Sequence, residues 1–289
     1  MSGNLSIDYF GDYRLLNLVN TGQSSQLWQA YNDRRRFFVC IKTLVDRVDL
    51  KTDQIKILKW EYEVAVKLSH PKLIKIIEFG WQREVPYLVM EWFAAPNLKA
   101  LINRGYAQYC EYLPQLFSDM AESLVYLHSQ GWTHRDIKPD NFLFDVEKRS
   151  LKLIDFALAR REPSWLAKLF TKKIQTQGTG TYIAPEQIRG QLPSPSVDIY
   201  SLGCTFFEML TTRPPFSGDN MNDLLRKHLT ANPPPVTLKN KNVTKEFSDI
   251  LKSMLAKDAN ERPKTTTELL QKIKTTKIFK KTQTKDDLT

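Results

Sequence analysis

Two hydrophobic periods run through the chain. Tyr13 to Val19 is apolar enough for a strand, Leu27 to Tyr31 makes a second, and the β-branched and aromatic run Phe37 to Lys42 makes a third. Alternation puts Phe38, Cys40 and Lys42 on one face of that third strand, so a cation is aimed where its neighbours are apolar. From Gln54 to Ser69 the period becomes helical, with Ile57, Val64, Ala65 and Leu68 as the buried stripe. Glu61 falls inside that stripe, where a carboxylate is costly unless paired, whereas Glu63 lies among Lys59 and Lys67 in the ordinary solvated pattern. Leu73 to Phe79 and Pro86 to Met90 read as two further strands, completing a small sheet beside one helix.

The second half of the chain is helical. Leu113, Leu116, Phe117, Met120, Leu124 and Leu127 repeat at helical spacing up to Gly131, which ends the helix. Val197 to Leu210 reads as a buried helix, too short for a bilayer and interrupted by Asp198 and Glu208. Phe247 to Leu255 and Thr266 to Ile273 close the pattern. Beyond about residue 276 the chain turns Lys- and Thr-rich without an apolar period, which predicts a disordered basic tail over 277–289.

Composition narrows the class. With 289 residues, 42% of them hydrophobic, the chain can build a real core as one large domain or two lobes. Cys40, Cys110 and Cys204 lie far apart, with no C-x-x-C pair, which argues against a disulfide framework or a zinc site. No signal peptide, lipidation pattern or membrane segment is read, so the cytoplasm is the default compartment. The formal charge of +10 raises acidic partners and nucleic acid alike, but Lys and Arg are scattered without a stripe of interleaved aromatics, so no nucleic-acid partner is expected.

The chemistry concentrates in Thr133-His134-Arg135-Asp136-Ile137-Lys138-Pro139-Asp140-Asn141, where a carboxylate, an ammonium and a carboxamide share one loop stiffened by a proline. The pattern H-R-D-x-K-x-x-N is complete, and Leu153-Ile154-Asp155-Phe156 comes next, a second acid leaving a short apolar strand. Together with Lys42, Glu61 and Ala184-Pro185-Glu186, these motifs form an ordered series over roughly residues 13 to 275 that resembles the eukaryotic-type (Hanks-type) serine/threonine protein kinases, in bacterial-like wording.

The resemblance implies an α+β, bilobal protein-kinase fold. A small β-rich N-lobe with one main helix would span 13–90, a hinge 91–97 and a larger, mostly helical C-lobe 98–276, after an N-terminal extension over 1–12. It implies ATP with Mg2+, or Mn2+ in its place. Asp136 would accept the substrate hydroxyl proton, Lys138 would neutralise the transferred phosphoryl group, and Asn141 and Asp155 would hold the metal. Lys42, the counterpart of the V-A-I-K lysine, would contact the phosphates, positioned by Glu61. Val19, Leu27, Cys40 and Leu143 would enclose adenine; Met90 would be the gatekeeper; backbone groups at Glu91 and Phe93 would bond the adenine edge, and Asn97 the ribose. Asp198 would anchor the catalytic loop, and Arg262 would pair Glu186. Lys138 and Thr179 point to serine or threonine as acceptor. Thr171 and Thr176 would be autophosphorylated in a transient dimer, the phosphate docking on Arg135. The basic balance implies acidic protein substrates, and alkylation of Cys40 would block ATP.

Two departures sustain a competing reading. In the Gly-rich turn, Asn20 and Ser25 replace the first and third glycines and only Gly22 remains, and Ala157 stands where the family has glycine after Asp155-Phe156. A pseudokinase, binding nucleotide as a regulatory scaffold, is the alternative these support. An alanine at 157 also predicts a less mobile pivot.

Overall fold

The structure, a computed structural model, describes residues 9–22, 24–44, 52–161, 180–284 and 287–288. The chain divides into two compact units: Met1–Ala94 with Asp155–Ala157, and Ala95–Ile154 with Leu158–Thr289.

The smaller unit is a sheet of six strands with one helix. In chain order these are β1 (Tyr9–Phe10), β2 (Tyr13–Thr21), β3 (Ser25–Asn32), β4 (Phe37–Leu44), α1 (Thr52–Ala65), β5 (Ile76–Gln82) and β6 (Val85–Glu91). The sheet order is β1-β2-β3-β4-β6-β5, antiparallel throughout. Arg83 and Glu84, with φ of 48° and 67°, form the two-residue loop between β5 and β6, the mirror-image turn that suits strand twist. Alternation along β4 divides the sheet. Val39 and Ile41 join Ala30, Val89, Tyr87, Tyr13 and Phe10 in the core, so Cys40 and Lys42 are turned to the opposite face.

The helix departs from the expected stripe. It ends at Ala65 instead of Ser69, and Ile57 is 40% exposed while Leu58 takes its buried place. The buried row therefore runs Leu58, Glu61, Ala65, Leu68, at spacings of three and four, which still carries Glu61 inward. The strand expected from Leu73 starts only at Ile76, because the Leu73 N–H closes a turn on the His70 carbonyl.

The larger unit is mainly helical: α2 (Leu98–Arg104), α3 (Leu113–Ser129), β7 (Trp132–Thr133), the hairpin β8 (Phe142–Asp145) and β9 (Ser150–Leu153), β10 (Arg160–Arg161), α4 (Pro185–Ile188), α5 (Pro195–Thr211), α6 (Met221–Thr230), α7 (Lys245–Met254) and α8 (Thr266–Thr275). Gly131 leaves α3 with a φ of 77°, as a C-terminal glycine does. Helix α5 is buried from Val197 to Thr211. Phe206 on it stacks on Phe117 of α3 at 4.1 Å, and Phe247 of α7 stacks on the same Phe117 ring at 5.5 Å.

The expected disordered tail is a packed strap. Ile278 and Phe279 are buried, the Thr244 N–H donates to the Ile278 carbonyl, and the Lys280 N–H donates to the Asn242 carbonyl. The Asn242 side chain donates to the Lys281 carbonyl and to Asp287, and the Tyr106 hydroxyl donates to Gln283. Two apolar residues give no period to read, and the fastening is done by backbone groups and asparagines that hydropathy does not register.

One buried group makes stability pH-dependent. His228 on α6 is fully buried against Tyr200, Phe216 and Lys257, and burial, helped by the Lys257 cation, depresses its pKa to about 4. The unfolded chain, with an ordinary histidine, binds the extra proton between about pH 6.5 and 4, so stability falls as pH drops through that window, by up to about 3 kcal/mol. Urea melts of wild type and His228→Gln should diverge in slope across that range; parallel curves would show that the ring does not titrate there.

Candidate active site

The smaller unit brings Lys42, Glu61 and Asp155 together. Leu27 of β3 and Leu88 of β6 flank Lys42 in register, and Cys40 lies opposite Met90, so these residues share the face away from the sheet core. Lys42 Nζ donates to Glu61 Oε2 at 2.7 Å and lies 3.6 Å from Asp155 Oδ1. Burial alone would lower the Lys42 pKa, but Asp155 and Glu61 together overcome it and hold the ammonium well above its ordinary range. The Phe156 backbone amide bonds Glu61, and the Phe156 ring is fully buried. Asp155 takes a left-handed φ of 65°, a conformation Asp tolerates at modest cost. Its Oδ1 accepts from the Ala157 N–H at 3.3 Å, and Ala157 itself has no positive φ, so its Cβ meets no backbone penalty here.

The Gly-rich turn forms with Gly22 alone of its glycines. Asn20 pairs with Leu27 and Thr21 with Gln26 across the hairpin, and the Gly22 N–H donates to the Ser25 carbonyl at 2.8 Å. None of Asn20, Gly22 and Ser25 has a positive φ, and a Cβ built on Gly22 would meet only Ser25 at ordinary contact distance. Val19 is 51% exposed and Leu27 half-buried. At the end of β6, the Glu91 N–H donates to the Lys75 carbonyl and the Glu91 side chain accepts from the Lys75 N–H, which fixes the backbone just before Phe93.

Cys40 is a poor nucleophile. Burial pushes its thiol up to about 12, against the pull of Lys42. Alkylation at pH 8 should therefore run about a thousandfold slower than at an ordinary thiol. Iodoacetamide labelling of the native protein, read by peptide mass, should leave Cys40 intact while the denatured chain is modified. Labelling within minutes would contradict this.

In the larger unit the catalytic-loop residues converge. Lys138 Nζ donates to Asp136 Oδ2 at 2.7 Å, and Asn141 Nδ2 donates to the Asp136 carbonyl at 2.7 Å and to its Oδ2 at 3.1 Å. The loop is held from beneath by Asp198 of α5, fully buried, which accepts the His134 and Arg135 N–H groups at 2.8 Å each. Burial opposes its charge, but His128, 2.7 Å away, and the loop amides hold the carboxyl below its usual range. Arg135 adopts a φ of 69° and buries its side chain, with Nε and Nη1 lacking a hydrogen-bond partner among the described residues. Leu143 on β8 forms a bridge with Asn97, whose Oδ1 caps α2 by accepting the Ala100 N–H at 2.8 Å. One lone pair of that oxygen is thereby engaged at the start of the helix.

Glu186 and Arg262 form a buried bidentate pair at 2.7 and 3.0 Å, and Gln187 beside them donates to the Arg135 carbonyl. Thr171, Thr176 and Thr179 lie outside the described residues. Two partners escaped the sequence reading: His128, and the cluster in which Lys99 and Tyr182 donate to the buried Glu208. A second carboxylate, Glu208, in the apolar run from Val197 to Leu210 was the signal for the second; His128 gave none beyond its place at the end of a helix.

Asn141 donates through Nδ2, which leaves its carbonyl oxygen as a hard donor of the kind magnesium takes, and Asp155, in the other unit, carries a carboxylate of the same character.

The profile of the Protein kinase domain matches residues 13–273, and the chain belongs to that family, with its bilobal fold. It is similar to bacterial members of the eukaryotic type. A probable serine/threonine-protein kinase of Clostridium perfringens is 29% identical over 265 residues, covering 91% of this chain and 38% of that protein. Serine/threonine-protein kinase PknB of Mycolicibacterium smegmatis is 30% identical over 89% of this chain and 41% of its own length. PknA of Mycobacterium tuberculosis is 30% identical over 82% and 55%. The chain thus spans well under half the length of the first two.

Proposed function

We propose that the protein transfers the γ-phosphoryl group of ATP to serine or threonine hydroxyls of proteins. The observation that carries this reading is the Asp136–Lys138–Asn141 constellation. Oδ2 of Asp136 is occupied by an ammonium and an amide, which leaves Oδ1 to take the hydroxyl proton, and the Lys138 charge stands ready for the transferred group. Members of the family use ATP and Mg2+; when bound, the metal neutralises phosphate charge. Lys42, locked by Glu61, would orient the α- and β-phosphates, Asp155 and Asn141 would hold the metal, and Val19, Asn20, Gly22, Leu27, Cys40, Met90, Glu91, Phe93, Asn97 and Leu143 would receive the nucleoside and phosphates.

A pseudokinase is disfavoured by the same geometry. All six polar residues the chemistry needs are present and engaged, and the turn around Gly22 closes despite Asn20 and Ser25. Labelled phosphate transfer to a generic protein, with phosphoamino-acid analysis of the product, tests the proposal: phosphoserine and phosphothreonine are expected. Phosphotyrosine alone, or nucleotide binding without transfer, would overturn it.

The finer proposals rest on individual features. The two nitrogens of Arg135 that lack a partner among the described residues, with burial and the nearby Arg160 cation lowering the guanidinium pKa, favour docking of a phosphate formed at Thr171 or Thr176 in a transient dimer. Ala157 limits the pivot after Asp155. No helix among the described residues is long and apolar enough to cross a membrane, and a cytoplasmic site of action is proposed. The catalytic domain is taken to run from residue 13 through the strap, past residue 276.

A further inference from the structure

A groove of about 730 Å³ opens on the larger unit where α8 gives way to the strap, walled on its other side by the start of α3. Its volume falls within the range of sites that hold a ligand of peptide-fragment size. None of the residues placed at the active site lines it.

The lining combines three features. Ile273, Ile278, Phe279 and Pro114 give it an apolar floor. Lys274, Lys277, Lys280 and Lys281 surround that floor, against one acid, Glu111. Lys281 lies 3.8 Å from Asp287 and is partly balanced, and Lys280 donates to the Lys241 carbonyl and pairs with no acid among the described residues. Lys274 and Lys277 are solvent-accessible and make no ion pair with any described residue. The third feature is a missing acceptor. Gln283 lines the groove, its Oε1 fixed by the Tyr106 hydroxyl, and its buried Nε2 has no hydrogen-bond partner among the described residues. A buried donor without an acceptor is costly, and a carbonyl or carboxylate oxygen would relieve it. The groove also meets the first turn of α3, a helix of 17 residues whose N-cap, Tyr112, makes no side-chain capping bond, so its positive end adds to the field.

We infer that this groove docks an acidic peptide segment of a partner protein, an apolar side chain seated on Ile278 and Phe279 and carboxylates met by Lys274 and Lys277. Charge complementarity selects the acidic segment, and the apolar floor selects a peptide over a bare anion. Docking here does not depend on phosphoryl transfer, so the two can fail separately.

The test is fluorescence anisotropy of the full chain with a labelled Asp/Glu-rich peptide bearing a central Leu-Phe pair. Saturable binding is expected, weakened about tenfold or more in Lys274→Glu/Lys277→Glu and at raised salt. The same peptide with Ser-Ser in place of Leu-Phe should bind at least severalfold more weakly. Both lysines reach solvent, so the variant should keep its thermal midpoint and its basal transfer to a generic protein. Equal binding by the variant, or by the Ser-Ser peptide, would overturn the inference, as would full displacement by inorganic phosphate at matched ionic strength, which would mark an anion site only.

Discussion

Asp136→Asn lowers phosphoryl transfer about 10²- to 10⁴-fold, the range expected when a positioned acid–base group is lost. The substitution is nearly isosteric, and Lys138 and Asn141 keep an oxygen to bond, so the loop conformation set by Asp198 survives. What disappears is a basic oxygen for the hydroxyl proton and the counter-charge to Lys138. Lys42, Glu61 and Asp155 belong to the other unit and are untouched, so nucleotide affinity should change little. Labelled transfer to a generic protein, paired with calorimetric titration of ATP·Mg2+, separates the two effects. A variant that retains most of its transfer would remove Asp136 from the proposed chemistry.

Arg262→Met costs stability on the order of 3–5 kcal/mol, because it leaves Glu186 buried without its cation. The guanidinium also donates to the Ala256 and Ser196 carbonyls and lies 4.8 Å over the Tyr200 ring, while Glu186 keeps, among the described residues, the Ser196 hydroxyl. Glu186→Gln combined with Arg262→Met should recover a large part of the loss, since the orphaned charge is then gone. Urea melts of the two single variants and the double close the cycle. Activity should fall as well, because Gln187, next to Glu186, holds the Arg135 carbonyl in the catalytic loop. Additive losses in the double variant would show that the pair is not coupled.

The sequence made some of this legible and hid the rest for physical reasons. Glu61 could be paired with Lys42 because a carboxylate on an apolar stripe demands a cation, and that held even though the stripe itself was misread by one residue at Ile57 and Leu58. The catalytic loop was readable because its polar residues are close in sequence and meet one another locally. Asp198 was legible through the family resemblance, as a charge at the start of an otherwise apolar helix. His128 was not, because its partner lies 70 residues away and a histidine at a helix end has many ordinary uses. The strap was missed because asparagine side chains and main-chain amides fasten it. Asn97 carries a task that the sequence did not announce: its side-chain oxygen also starts a helix.

The strap also separates two definitions of where this folded domain stops as a physical object. The family profile stops at residue 273, yet Asn242, Thr244 and Tyr106 donate to Lys281, Lys277 and Gln283, all of them past that limit. A recombinant fragment trimmed to the profile would uncover the hydrophobic seat of Ile278 and Phe279 and leave those polar groups to water. Such a fragment should be poorly soluble for reasons unrelated to its chemistry, and silence from it in an assay would say nothing about the intact chain.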